Sequence, residues 1–351
     1  MKDDAFLSII KDADPDYSDE NISTTGFIDT GSYALNALLS ASVFGGIPNN
    51  RVTAYAGESG TGKTFFALSG VKEFLQRTEE EKGTVIYFDT EFALEKSMFE
   101  KRDIDTKRLF LMQPDTLQSF KTTGLRILDK IEKMEEADKR PVLMVLDSLG
   151  NLPTLKEVED GLSGKDVSDM TRAKIIRSIF RTLTLKMGKV SVPMILTNHT
   201  YTQVGAYVPT QTMGGGGGVV YAASTIAFLS KKKDKDGNDV IGNIITVKTE
   251  KSRYSKPNQK VELKLDYNKG LDRFYGLLPI AEKYDIIKKV TTRYELPDGT
   301  RLFEKQIYAD PERFFTKDIL QRIDEVCKKE FGVGEIGIDE ENTEEETKET
   351  E

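Results

Sequence analysis

The 351 residues include a single cysteine and a single histidine. A single thiol, Cys327, cannot close an internal disulfide, which fits a reducing compartment. No run of about 18 apolar residues occurs, so no membrane-spanning helix and no membrane partner are expected. The start, Met1-Lys2-Asp3-Asp4, is acidic and lacks the apolar core of a signal peptide, so the expected setting is cytoplasmic. Charge of one sign is also scarcer than the net value of −8 suggests. Residues 335–351 hold nine acids against Lys348 alone, and the preceding 334 residues carry 49 acids and 49 bases. A neutral body with an acidic tail does not exclude a polyanionic partner. Such a tail solubilises, repels polyanions or competes for a basic site.

What the chain has is Gly57-Glu58-Ser59-Gly60-Thr61-Gly62-Lys63-Thr64. This is G-x-x-x-x-G-K-[ST] in full, between an apolar run (Val52 to Ala56) and a helical pattern beginning at Phe65. Glycines let successive N–H groups turn inward onto phosphate oxygens. Lys63 reaches the β- and γ-phosphates, Thr64 ligates Mg²⁺, and the helix start adds partial positive charge. The spacing implies a bound nucleoside triphosphate.

Strand and helix patterns then alternate. Apolar runs at Thr84 to Asp89, Leu109 to Met112, Val142 to Asp147 and Val192 to Thr197 are continuous, as strands buried on both faces are. Further strands are expected at Thr225 to Leu229, Ile244 to Thr249 and Val261 to Leu265. The expected fold is α/β: a doubly wound, mainly parallel sheet. Past Gly270 the pattern becomes a small α+β appendage with helices over Leu278 to Ile287 and Phe315 to Phe331. The division reads as an N-terminal segment (1–30), a core (31–271), a small domain (272–332) and an acidic tail (333–351). The apolar residues Phe6, Leu7, Ile9 and Ile10 need burial, on this chain's own body or on a neighbour.

Candidate site residues cluster at strand ends. Asp147 closes an apolar strand where a Mg²⁺-orienting carboxylate belongs, and Ser148 is placed to bond the cation's shell. Glu91, in Asp89-Thr90-Glu91, offers a carboxylate to orient or deprotonate an attacking water. His199, in Thr197-Asn198-His199, ends another strand. Residues 200–218 finish in Gly214-Gly215-Gly216-Gly217-Gly218 and read as a mobile loop that orders on a ligand. Pro153 to Val167 reads as a second flexible segment. Arg172, Lys174, Arg177 and Arg181 form a basic stripe on one helix, with Arg177 and Arg181 on one face. Lys251 and Arg253 point the same way from an extended chain and suit phosphate-charge stabilisation across a subunit boundary.

Together these residues resemble the RecA-type recombinase family, and within it the bacteriophage UvsX recombinases, from about Ile22 to Phe331. Ile22-Ser23 with Thr30-Gly31-Ser32 is similar to the family's entry segment. Gly57 to Thr64 resembles its Walker A loop and Leu146 to Leu152 its Walker B strand. Val167 to Lys174 looks distinctly UvsX-like. The resemblance implies a RecA-type P-loop ATPase core that uses ATP and Mg²⁺. It makes Glu91 the water-activating base, with Lys63 and His199 as its catalytic companions, and gives His199 the sensing of the γ-phosphate. Thr64 and Asp147 are the implied metal ligands. Segments near 153–167 and 200–218 correspond to two DNA-binding loops, so that Arg177, Arg181, Gly214, Gly215 and Gly216 fall on the DNA backbone. Lys251 and Arg253 match the pair that reaches a neighbour's ATP. The adenine-stacking aromatic falls near Met98, with Phe99 next door. Bacterial RecA has glutamine where this chain has His199, and the phage branch has histidine.

The implied activity is DNA-dependent ATP hydrolysis with homologous pairing and strand exchange, in recombination, repair and replication. The implied partners are single- and double-stranded DNA and further copies of the chain in a helical filament. Single-strand-binding and mediator proteins are candidate partners, and for a phage protein the setting is the host cytoplasm. A hexameric helicase of the same core fold, or a non-catalytic ATP-binding mediator, are the alternatives.

Overall fold

The structure, a computed structural model, describes residues 26–165, 169–202, 211–214, 217–237, 239–296 and 299–333. The apolar segment at Phe6 to Ile10, residues 166–168 and 203–210 in and beside the two expected flexible segments, Gly215, Gly216 and residues 334–351 of the acidic tail lie outside the described residues.

A short pair, β1 (Phe27–Ile28) and β2 (Ile47–Pro48), brackets α1 (Tyr33–Ser40). β3 (Val52–Gly57) then leads into α2 (Lys63–Arg77), followed by β4 (Thr84–Asp89), α3 (Lys96–Glu100), β5 (Leu109–Met112), α4 (Leu117–Glu132) and β6 (Val142–Asp147). Next come α5 (Leu155–Leu162), α6 (Arg172–Lys189), β7 (Met194–Thr202), β8 (Gln211–Met213) and α7 (Gly217–Ala222). Four more strands complete the large sheet: β9 (Thr225–Asp236), β10 (Asp239–Lys251), β11 (Lys260–Asp266) and β12 (Gly270–Leu271). The chain closes with α8 (Leu277–Lys283), β13 (Lys288–Val290), β14 (Arg293–Glu295), β15 (Arg301–Leu302), α9 (Glu304–Ala309), α10 (Pro311–Phe314) and α11 (Lys317–Phe331).

The large sheet runs β12-β11-β10-β9-β3-β7-β6-β4-β5, with β8 paired to β7. The stretch from β9 to β5 is parallel, as the continuous apolar runs require. The strands at 239–251 and 260–266 are antiparallel additions. β9 also extends beyond the expected Leu229, through the lysines at 231–233 to Asp236. The reason is a hairpin: Gly237 takes φ +61° at the turn, and the exposed lysines pair with β10 instead of packing on a core.

Helices cover both faces. On one, α1, α2 and the C-terminal helices bury Leu35, Leu38, Phe66, Leu68, Ile323 and Cys327 in a single cluster. On the other, α4, α6 and α7 bury Phe120, Leu128, Ile179, Phe180 and Val219. The small appendage therefore shares its core with the sheet.

Asp29 ties three segments of the chain together. It is 1% exposed and accepts from Gly31 N–H at 2.9 Å, Asn36 Nδ2 at 2.9 Å, Arg77 at 3.1 Å and Arg273 at 2.8 Å. Burial pushes its pKa up, but the bond and charge of Arg273, with Asn36 and Gly31, hold it below the ordinary carboxylate value. A depressed folded-state pKa contributes stability at neutral pH that is lost as the pH falls through that pKa. Asp29→Ala is expected to cost about 3 kcal/mol in denaturant unfolding at pH 7. The gap from wild type should narrow below about pH 4, and a gap independent of pH would remove the ion pairs from the explanation.

Candidate nucleotide site

Parallel register brings the polar strand ends into one row. Gly57 of β3 lies beside His199 of β7, and Asp89 of β4 lies beside Asp147 of β6. This is the carboxyl edge of a parallel sheet, where ligands of such folds bind. The residues at these strand ends, Gly57, Asp89, Asp147 and the Thr197-Asn198-His199 stretch, make the site.

The phosphate loop turns because Gly60 and Gly62 take φ +70° and +93°, a region that side chains disfavour. Gly62 caps α2, so the free N–H groups of that helix face the edge. Lys63 is buried and donates to the Gly57 and Glu58 carbonyls, both at 3.0 Å. Burial pushes its pKa down, against the pull of Glu91 and Asp147, and Lys231 adds to the lowering. Lys231 donates to Gly60 O at 2.8 Å from outside the loop.

His199 joins the two halves of the site. Its Nδ1 is 3.5 Å from Lys63 Nζ and its Nε2 3.4 Å from Glu91 Oε1. Ser148, fully buried, donates to the same Glu91 oxygen at 3.0 Å, so its hydroxyl is committed to the carboxylate. Asp147 is 5% exposed. Its Oδ2 accepts from the Tyr87 hydroxyl at 2.8 Å and its Oδ1 from the Thr197 hydroxyl. Burial raises the Tyr87 phenol, and the Asp147 charge adds to this, so it remains a donor. Thr64 stands in the first turn of α2. Nothing in the sequence alone singles out Tyr87, Thr197 or Lys231 as site residues. Tyr87 stands two places before Asp89 in an apolar strand and reads there as core.

Two expectations about flexible segments are corrected. Residues 155–162 form α5, capped by Thr154 and Glu157 in a reciprocal capping box. The signal, Thr154-x-x-Glu157, is present in the sequence. The expected loop over 200–218 is overturned at its ends, where the strand of His199 continues to Thr202 and pairs with β8, and Gly217 and Gly218 begin α7; residues 203–210, 215 and 216 lie outside the described residues. A Cβ on Gly218 would lie 2.8 Å from Arg177 N, so glycine there permits helix-on-helix contact with α6 rather than looseness.

Gly214 is stitched to the site: its N–H donates to His199 O at 3.0 Å and its carbonyl accepts from Asn198 Nδ2 at 2.7 Å. Arg177 and Arg181 are both exposed one turn apart on α6, and the Arg177 guanidinium lies 5.8 Å from the Tyr221 ring. Arg172 is spent internally on Leu152 O, Gly150 O and Glu157. Lys251 donates to the Val220 and Tyr221 carbonyls at 2.7 and 3.3 Å, and Arg253 is exposed nearby. Burial, then the Arg253 charge, lowers the Lys251 pKa. Phe99 is 2% exposed within the core, which leaves the half-buried Met98 as the more accessible of the two.

No helix among the described residues is long and apolar enough to cross a membrane. A sequence profile of the RecA N-terminal domain matches residues 9–272. A recombination and repair protein of Enterobacteria phage T4 is 32% identical over 255 residues, 73% of this chain and 63% of that protein. The match thus spans less than two thirds of the phage protein. Protein RecA of Lactobacillus johnsonii is 28% identical over 332 residues, 94% of this chain and 86% of its own length. Protein RecA of Deinococcus radiodurans is 29% identical over 274 residues, 77% and 71% of the two chains.

Proposed function

The chain belongs to the RecA family, and from that premise we propose that it is an ATP-dependent DNA recombinase. It forms helical filaments on single-stranded DNA, hydrolyses ATP, and exchanges that strand into a homologous duplex. Residues 31–271 are the ATPase core and 272–332 a small accessory domain. The observation that carries the reading is the double engagement of His199. Its ring lies between Lys63 and Glu91, while its backbone carbonyl holds Gly214, the first of the glycine run. A change at the phosphates is thereby passed to the DNA-binding segment through one residue.

The chain's own groups supply the chemistry. The N–H groups of Gly57 to Thr64 bind the phosphates, and Lys63 leaves the Gly57 and Glu58 carbonyls for the β- and γ-oxygens. Glu91 accepts the proton of the attacking water, held in place by Ser148. Thr64 and Asp147 offer hard oxygen donors, and no group of three or more His, Cys, Asp or Glu among the described residues could hold a metal. That donor set fits Mg²⁺, which keeps much of its shell as water and phosphate oxygen and, when bound, neutralises phosphate charge. Lys251 and Arg253 complete the site of a neighbouring copy, Lys251 exchanging the Val220 and Tyr221 carbonyls for that neighbour's phosphates. Arg177, Arg181 and Gly214, with Gly215 and Gly216, meet the DNA backbone, and Met98 borders the adenine. Single-strand-binding and mediator proteins act with the filament.

Phosphate release with and without single-stranded DNA tests the assignment. Turnover should rise many-fold when the strand is added and should fall steeply with salt. A rate indifferent to DNA would contradict it.

A further inference from the structure

We propose that Tyr87 is a positioning residue for Asp147: its hydroxyl fixes the carboxylate's orientation and through it the affinity for the divalent cation. The inference rests on the reading of Asp147 as the cation-orienting group.

Tyr87 and Asp147 sit on neighbouring parallel strands, with Tyr87 beside Val145 and Asp89 beside Asp147. The phenol thus starts two residues below the carboxylate, about 6.6 Å along the strand, and runs up the sheet to it. The ring is fully buried and packs in the same cluster as Leu68 and Val145. Phenylalanine would fill that space equally well. The hydroxyl donates to Asp147 Oδ2 at 2.8 Å. Tyr55 provides the contrast: it is equally buried in the same cluster, and its hydroxyl has no hydrogen-bond partner among the described residues.

A carboxylate has about four acceptor positions on its two oxygens. In Asp147 one on each oxygen is taken, by Tyr87 and by Thr197 from the next strand. Two donors from opposite sides prevent rotation about the Cβ–Cγ bond and leave one acceptor on each oxygen for a cation or its water. Without the Tyr87 donor, a 5%-exposed carboxylate keeps an unsatisfied buried oxygen and regains rotational freedom. A cation that demands near-ideal octahedral geometry is sensitive to that loss.

The test is a Mg²⁺ titration of the binding of a fluorescent ATP analogue to the full chain, with a parallel titration in EDTA. For Tyr87→Phe, the Mg²⁺ midpoint should rise on the order of tenfold, the loss of one hydrogen bond to a charged group. Binding in EDTA should match wild type. Tyr55→Phe should leave the midpoint unchanged. Thr197→Val, acting on the other oxygen, should move it in the same direction as Tyr87→Phe and serves if that variant does not fold. A lower melting temperature for Tyr87→Phe with an unmoved midpoint would overturn the proposal, because it describes packing alone. Asp147→Asn separates the premise from the inference. A shift there without one in Tyr87→Phe overturns the inference only, and no shift in either overturns the reading of Asp147 itself.

Discussion

Replacing Lys63 with alanine should lower DNA-stimulated ATP hydrolysis on the order of a thousandfold. The ammonium is the one cation held within the curl of the phosphate loop, 3.0 Å from two loop carbonyls and 3.5 Å from His199. It is buried, which keeps the surrounding dielectric low and its electrostatic effect on a phosphate large. Its depressed pKa has the same origin: burial costs the charged form, and an arriving polyphosphate reverses that cost. Lys63 is also part of the loop's own support, since it satisfies the carbonyls at the end of β3. Lys63→Met keeps the aliphatic stem and removes the ammonium, so it separates loss of the charged donor from loss of side-chain bulk. Both variants should melt near wild type and fail in phosphate release. Turnover within tenfold of wild type would remove Lys63 from the site.

Replacing Glu91 with glutamine should lower hydrolysis by about 10²- to 10⁴-fold while leaving nucleotide and DNA binding intact. The amide oxygen can still accept from Ser148, as Oε1 does at 3.0 Å, and can face His199. What it cannot do is take a proton from water. The variant should therefore trap the nucleotide-bound form, seen as slower release of labelled DNA after an ATP chase. Equal loss of nucleotide binding and turnover would make Glu91 a binding residue, not a base.

Strand ends were the most legible part of this molecule. Gly57, Asp89, Asp147 and His199 could be found because each lies at or just past the end of a largely apolar strand run, and a carboxyl edge collects such residues from parallel strands. What escaped reading obeys other rules. The lysines at 231–233 look like loop, since an exposed hairpin needs pairing partners and no core. Gly218 looks flexible, since its role in helix packing depends on Arg177, 41 positions earlier in the chain. Residues 155–162 read as flexible despite the capping box, because Leu155, Val158 and Leu162 share a helical face that stays exposed and no core requires it. Tyr87 was hidden by its setting. An aromatic residue in a buried strand reads as core, and only the register with β6 brings its hydroxyl to Asp147.

In the proposed reading the phosphate loop is half of a site, completed by Lys251 and Arg253 of another copy. In the single chain the Lys251 ammonium rests on the Val220 and Tyr221 carbonyls, an internal partner that it can exchange. Two variants divide the halves: Glu91→Gln has a dead base and intact Lys251 and Arg253, and the double substitution Lys251→Ala with Arg253→Ala has the reverse. Each should be nearly inactive alone on single-stranded DNA. Mixed in equal amounts before the DNA is added, they should hydrolyse ATP well above the sum of the separate rates, because some loops then meet intact cations from a neighbour. Additive rates at every mixing ratio, with both variants bound to the same DNA, would contradict the shared site.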